Sequence, residues 1–308
     1  MSSTAVRFAV IGADHLHLFQ MVDRLVAAGA AAVAHAPGGG LIGMYTGWQK
    51  ASEERSADAI LADESIQLVV LAGIPCERAA VAVAALRAGK HVLSDKPGVT
   101  TRAQLDEVRS AIDGRRGRPW TVLFSERFEN RAIGEAVALA RSGAVGKVVH
   151  VVGAGPHLLS AKHRPEWFWD GTATGGILVD IGSHQADQFL AVAVGADGPP
   201  ARAQVRLAAV GNAACPDHPA MQDVGSMTLV ANGVVGDHRL NAQLAAVVRP
   251  HRQRARAAHR RAAFTRRHRQ RQQQPIAPRV HVIGALRRHQ VAERVRDQAA
   301  AVALDALD

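Results

Sequence analysis

The chain has 308 residues, a length that suits about two domains, and its formal charge of +10 is unevenly spread. Residues 1–236 hold 21 Lys and Arg against 22 Asp and Glu, whereas residues 237–308 hold 16 arginines against 5 acids. The basic excess belongs to the last segment, so the rest of the chain does not read as a nucleic-acid-binding domain. Two cysteines, Cys76 and Cys215, exclude a disulfide framework. Neither sits in a metal-ligand spacing, and no metal is expected. No run approaches the roughly 18 uncharged apolar residues of a membrane span, and MSSTAVRFAVIGADHLH lacks a signal peptide's apolar stretch and cleavage site. The expected setting is soluble, reducing and cytoplasmic.

Ala5–Gly12 is an apolar run ending in glycine and predicts a buried strand. Leu18, Val22, Leu25 and Val26 recur at helical spacing until Gly29. Ala31–His35 is a second strand, followed by Pro37 and Gly38–Gly40. Ser56–Glu64 reads as helix, Ile66–Ala72 as strand, Ala79–Ala88 as helix and His91–Ser94 as strand. Strands alternating with helices predict a doubly wound parallel sheet, buried on both faces, over residues 1–120. The pattern changes after Arg118. Trp120–Phe124 is strand-like, Arg131–Ser142 helical and Lys147–Gly153 an alternating strand. Gly175–Asp187 runs into an apolar helix through Val194, and Ala203–Val210 and Ser226–Ala231 are further strands. Residues 121–236 therefore predict an α+β domain. No strand is assigned from Asp237 onward, though Val291, Val295 and Val302 suggest one face of a terminal helix.

A strand that delivers Gly12 to a helix start is the geometry that receives a dinucleotide pyrophosphate, because the helix offers unpaired N–H groups and a partial positive charge. The stretch Gly12-Ala13-Asp14-His15-Leu16-His17 keeps only the first of the three fingerprint glycines. At the end of the second strand, His35-Ala36-Pro37 supplies neither the carboxylate that favours NAD nor an arginine for the NADP phosphate. The cofactor is left as NAD or NADP. The expected contact positions are Gly12, Ala13, Asp14, His15, His35, Ala36, Gly73 after the Ile66–Ala72 strand, Lys96 and Pro97.

Ser94-Asp95-Lys96-Pro97 places a lysine at the carboxyl end of a parallel strand, where ligands of such sheets bind. Pro97 biases Lys96 toward extended backbone, which lets its ammonium point into the crevice. Further on, Gly175-Gly176-Ile177-Leu178-Val179-Asp180-Ile181-Gly182-Ser183-His184 opens a predicted helix with Asp180 and His184 at i and i+4 on one face. Histidine is the natural general base near neutral pH.

The strand-glycine start, the Asp-Lys-Pro turn and the Gly175–His184 run occur in the order and spacing of one family. The chain resembles the glucose–fructose oxidoreductase, inositol dehydrogenase and MocA family over about residues 5–234, with Asp95 where that family typically has Glu. The resemblance implies a Rossmann domain followed by a domain with an open, largely antiparallel sheet. It also implies an NAD- or NADP-dependent oxidoreductase acting on sugars, inositols or related polyols, with Lys96, Asp180 and His184 as catalytic residues. On that reading His184 takes the hydroxyl proton and Lys96 steadies the reacting oxygen, while Asp180 positions substrate and sets the His tautomer. Arg127, His157, Arg164 and Trp167 are further candidates for substrate contact. Association through the open sheet would make a homo-oligomer. The rival is a dinucleotide- or sugar-sensing protein without turnover, which the degenerate glycine loop favours.

The segment from residue 237 is read three ways: a disordered polybasic extension, a nucleic-acid arm, or translation out of frame. Glycine, acids and aromatics all fall away near Gly236 together, as a frame change in a GC-rich gene would produce. Frame error is the preferred expectation, and nucleic acid is not an expected partner.

Overall fold

The apolar runs of the first half become the strands of one parallel sheet. They are β1 (Arg7–Ala13), β2 (Ala31–His35), β3 (Glu53–Glu54), β4 (Leu68–Ala72), β5 (His91–Asp95) and β6 (Trp120–Leu123), in the order β3-β2-β1-β4-β5-β6 with every pair parallel. The computed structural model describes residues 5–113, 119–193 and 203–243. Five helices connect the strands: α1 (His17–Ala27), α2 (Ile42–Trp48), α3 (Ala57–Ala62), α4 (Arg78–Arg87) and α5 (Arg102–Asp113). Along β1, Phe8 and Val10 pack with Leu18, Met21 and Val22 of α1, whereas Ala9 and Ile11 face the core that holds Ala82, Leu86 and Leu105 of α4 and α5. Both faces of the strand are covered, so its sequence has no polar alternation.

The strand order reverses between β1 and β4, which opens a crevice beyond their carboxyl ends. Gly12 is required there. Its φ is +84°, and a Cβ would lie 2.8 Å from Gly73 Cα in the loop after β4.

The boundary read from the sequence, between residues 120 and 121, cuts β6 after its first residue, whereas β6 pairs with β5 from Trp120 to Leu123 and completes the first sheet. Trp120 and Val122 bury their side chains in the same core as Leu105. Four residues carry too little periodicity to show which sheet they join.

The second half continues with α6 (Ser125–Phe128), α7 (Arg131–Arg141), β7 (His150–Leu158), α8 (Gly171–Thr174), α9 (Gly176–Asp180), α10 (Gly182–Ala193), β8 (Gln204–Gly211), β9 (Val224–Ala231) and β10 (Val234–Gln243). Its sheet runs β7-β10-β9-β8, antiparallel except that β7 and β10 are parallel. The helix predicted from Gly175 is two helices, broken at Ile181. Phe189 and Leu190 of α10 pack with Met227, Leu229 and Leu240 on one sheet face. On the sheet, Val152, Leu158 and Leu207 are exposed.

Strand β10 corrects the boundary at Gly236, because it runs seven residues past it to Gln243. Leu240 and Ala242 are buried, and the Ala242 N–H donates to the Asp223 carbonyl at 2.8 Å. Charge composition changes within this strand, whereas the ladder does not. The remainder of the arginine-rich segment, including the terminal helix suggested by its valines, lies outside the described residues.

His238 on β10 is 2% exposed, and neither of its ring nitrogens has a hydrogen-bond partner. A Cβ on Gly153 or Gly236 would overlap its ring, so the site is shaped around a neutral imidazole. Burial lowers its pKa to about 4, and Asp237 offsets this only in part. The unfolded chain, with an ordinary histidine pKa, takes up this proton first as pH falls. Stability is therefore expected to drop from about pH 6.5 to about pH 4, by about 3 kcal/mol from this residue. Urea unfolding of wild type and His238→Gln across that range checks the expectation, and the variant should show the shallower decline.

Candidate active site

The crevice at the carboxyl ends of β1, β4 and β5 faces β7, α6 and the α9–α10 break across a cleft of about 770 Å³. Each half contributes reactive side chains to it.

Asp95 at the end of β5 is fully buried and organises the first half of the cleft. Its carboxylate meets His15 Nδ1 at 3.0 Å, His17 Nδ1 at 2.8 Å and Arg78 Nη2 at 3.2 Å, and accepts from the Lys96 backbone N–H at 2.8 Å. Burial alone would raise this carboxyl, but Arg78, His15 and His17 hold it well below the ordinary carboxylate range. Arg78 is 2% exposed and also donates to the carbonyls of Gly73, Asp95, Lys96 and Pro97. It thereby ties the loop after β4 to the Lys96–Pro97 turn.

Lys96 emerges from that turn 6% exposed, and its Nζ donates to Asp180 Oδ1 at 2.7 Å and to the Asp180 carbonyl at 3.1 Å. Burial opposes ionisation of Asp180, but the Lys96 ammonium outweighs it and the carboxyl sits below its usual range.

His184, in the first turn of α10, is 2% exposed. Its Nδ1 has no partner and its Nε2 lies 4.0 Å from Glu126 Oε1. Burial, then the Lys96 charge, lower its pKa to about 3, so the ring is unprotonated at neutral pH. Glu126 Oε1 also meets His157 Nε2 at 2.9 Å, and His157 stacks on His184 with ring centroids 6.1 Å apart. Despite partial burial, these histidines hold Glu126 at about 2.

Lys96, Asp180, His184 and His157 thus meet in one cleft. Asp180, however, does not orient His184 as the i, i+4 reading expects. The break at Ile181 separates the two residues, and Lys96 takes up the carboxylate. Arg164 and Trp167 line the cleft, with Arg164 over the Phe168 ring and donating to the Leu158 and Leu159 carbonyls. Arg127 is turned away from it. Its guanidinium forks onto the fully buried Asp187 of α10 at 2.5 and 2.7 Å. The sequence reading also missed Glu126, His17 and Arg78. Of these, His17 stands in the Gly12–His17 stretch without a role assigned to it, and Arg127 is the candidate where its neighbour Glu126 reaches the cleft.

Among the expected cofactor positions, Asp14, His15 and Lys96 line the cleft, whereas Gly12, Ala13, His35, Ala36, Gly73 and Pro97 do not. His35 is buried and bonds Ser52 Oγ at 3.0 Å. The crevice nevertheless fits a dinucleotide. Bare glycine backbone, Gly12 against Gly73, stands at the carboxyl ends of the paired strands β1 and β4, and α1 has no acid in its first turn. The Asp14 carboxylate is engaged by the Gly40 N–H at 2.7 Å, while His15 and His17 flank the helix start.

Two domain models of one family match the chain. The GFO/IDH/MocA oxidoreductase family, NAD-binding Rossmann fold, covers residues 6–121, and the GFO/IDH/MocA C-terminal domain covers residues 133–256. The 1,5-anhydro-D-fructose reductase of Ensifer adhaerens is 28% identical over 193 residues, 60% of this chain and 53% of that protein. The chain therefore spans about half the length of this curated relative. A solved structure from Erwinia carotovora atroseptica SCRI1043, assigned to the oxidoreductases, is 34% identical with a TM-score of 0.71, covering 77% of this chain and 70% of that one. The myo-inositol 2-dehydrogenase of Lactobacillus plantarum shares the fold at 19% identity and a TM-score of 0.61, over 77% of this chain and 70% of its own. Among the described residues no helix is long and apolar enough to cross a membrane. With both domain models matched in order and a relative at 34% identity, the chain belongs to the GFO/IDH/MocA family of NAD-binding, Rossmann-fold oxidoreductases.

Proposed function

We propose that the cleft moves a hydride between a nicotinamide cofactor and a secondary alcohol or ketone of a sugar, inositol or related polyol. The observation that carries this reading is the Lys96–Asp180 pair, joined across the two halves at 2.7 Å and sharing the cleft with unprotonated His184. A bound nicotinamide supplies the hydride acceptor or donor. Lys96 presents its ammonium to the substrate oxygen and stabilises the alkoxide that develops there, while Asp180 fixes the direction of that ammonium. The free Nε2 of His184 accepts the hydroxyl proton during oxidation and returns it during reduction. Arg164 and Trp167 form a wall suited to hydroxyl groups and C–H faces. The exposed apolar residues of the second sheet support self-association as part of the same reading.

Fluorescence titration with NADH and NADPH, followed by a turnover screen over polyols and ketoses, tests the proposal. Saturable cofactor binding with oxidation of at least one polyol is expected. His184→Asn should then lower kcat by about two orders of magnitude and leave cofactor affinity nearly unchanged. Tight binding without turnover on any member of the panel would favour the sensing protein, whose support is the replacement of the second and third fingerprint glycines by Asp14 and His17.

A further inference from the structure

Two histidines at the start of α1 share one buried carboxylate. Asp95 Oδ2 lies 3.0 Å from His15 Nδ1, and Asp95 Oδ1 lies 2.8 Å from His17 Nδ1. We propose that these two imidazoles are the side-chain donors to the pyrophosphate of the nicotinamide cofactor, and that they take up a proton from solvent when it binds. The inference rests on dinucleotide binding and not on hydride transfer.

A dinucleotide loop ordinarily offers backbone N–H groups to the phosphates. Here several of those groups are already spent. The N–H groups of Asp14 and His15 both donate to the Ala72 carbonyl at 2.9 Å, and the Gly40 N–H donates to the Asp14 carboxylate at 2.7 Å. The His17 N–H lies 3.3 Å from His15 Nδ1. Asp14 and His17 stand where the second and third fingerprint glycines would let bare backbone approach the anion. Side chains must therefore supply what the backbone does not. Both histidines line the cleft, 21% and 28% exposed, and they pack edge to face with ring centroids 4.2 Å apart.

An ionised carboxylate only accepts, so its contacts place a proton on Nδ1 of each ring. In a neutral ring Nε2 then carries a lone pair, which a phosphate oxygen cannot use. Only the imidazolium donates from both nitrogens, one to Asp95 and the other to the anion. The charged groups facing the pair are Arg78 from α4, Lys96 after β5, Asp180 from α9 and Asp14 on the loop itself. Arg78 is matched by Asp95 and Lys96 by Asp180, which leaves the Asp14 carboxylate over. Two phosphate charges brought to that remainder require compensation, and a proton moving from solvent to Nε2 provides it. Burial holds the His15 ring below the ordinary histidine pKa, against the pull of Asp95, so the empty site is largely without this proton at neutral pH.

The test is calorimetric titration of the full chain with NADH and NADPH in two buffers of different ionisation enthalpy, which counts the protons taken up. Uptake of at least about half a proton per cofactor is expected at pH 7, so that Kd rises about threefold or more per pH unit between about pH 6.5 and 7.5. ADP-ribose, which carries the pyrophosphate without the nicotinamide, should take up the same proton. In the double variant His15→Gln with His17→Gln the uptake should vanish, and binding at about pH 6.5 should weaken by about tenfold. Circular dichroism checks that this variant is folded, and the wild-type titrations need no variant at all. His184→Asn, which removes a ring elsewhere in the cleft, should keep the uptake. Uptake below half a proton, uptake that survives in the double variant, or uptake that requires His184 or the nicotinamide overturns the inference. Cofactor binding without proton uptake sinks this inference alone, whereas no binding at any pH would sink the cofactor site with it.

Discussion

Replacing Lys96 with methionine is expected to lower turnover by about two to four orders of magnitude, with less than about tenfold change in cofactor affinity. Methionine retains length and apolar bulk but removes the ammonium that meets Asp180 at 2.7 Å. The loss falls on the interaction that strengthens as the substrate oxygen gains negative charge, so kcat should fall more than KM rises. Lys96→Arg should not rescue it. A planar guanidinium cannot reproduce a point charge in a site whose lysine is 6% exposed. Steady-state kinetics on a confirmed substrate decide the matter, and a Lys96→Met enzyme retaining about half of wild-type kcat would contradict the assignment.

The second large effect is expected on stability. Asp95→Ala should cost about 3–5 kcal/mol, because it leaves buried Arg78 without its carboxylate and frees His15 and His17 from the end of β5. Asp95→Glu keeps the charge and adds one methylene, yet it should also destabilise the protein, by about 1–3 kcal/mol. The carboxylate is 0% exposed and already engaged by four donors, so an added methylene has nowhere to go. In this chain the two histidines of the loop after β1 reach across to the shorter acid. Chemical denaturation of both variants checks the ordering, and an Asp95→Glu protein at least as stable as wild type would count against this packing argument.

Much of the first half is legible because burial on two faces writes itself as continuous apolar runs. Residues Phe8 to Ile11 and Val69 to Leu71 could hardly be read otherwise. The edge of the sheet is less clear. Strand β3 is Glu53–Glu54, two exposed acids with no hydrophobic signature, and β6 is too short to declare its partner. Lys96, Asp180 and His184 were legible through motif spacing, but their mutual geometry was not. Helical periodicity cannot show that the chain breaks at Ile181 or that Lys96 captures the aspartate. Glu126 and His157 stand 31 residues apart in sequence, and only the approach of α6 to β7 brings them within 2.9 Å. The sequence offers no spacing rule for such a contact. Around Gly236, composition misleads for a different reason. Charge counts register the arginines beyond β10, whereas alternation of Leu240 and Ala242 into the core is what defines the strand.

Isotope transfer from cofactor to product tests the central claim most directly. Reduced nicotinamide cofactor deuterated at its transferable position is mixed with the protein and a panel of ketoses and inosose-type ketones, and the products are weighed by mass spectrometry. Direct hydride transfer in this cleft predicts a single deuterium on the new carbinol carbon, at a rate that collapses in Lys96→Met while cofactor binding persists. Saturable cofactor binding with no deuterium in any product, or label transfer undiminished in Lys96→Met, would contradict the account.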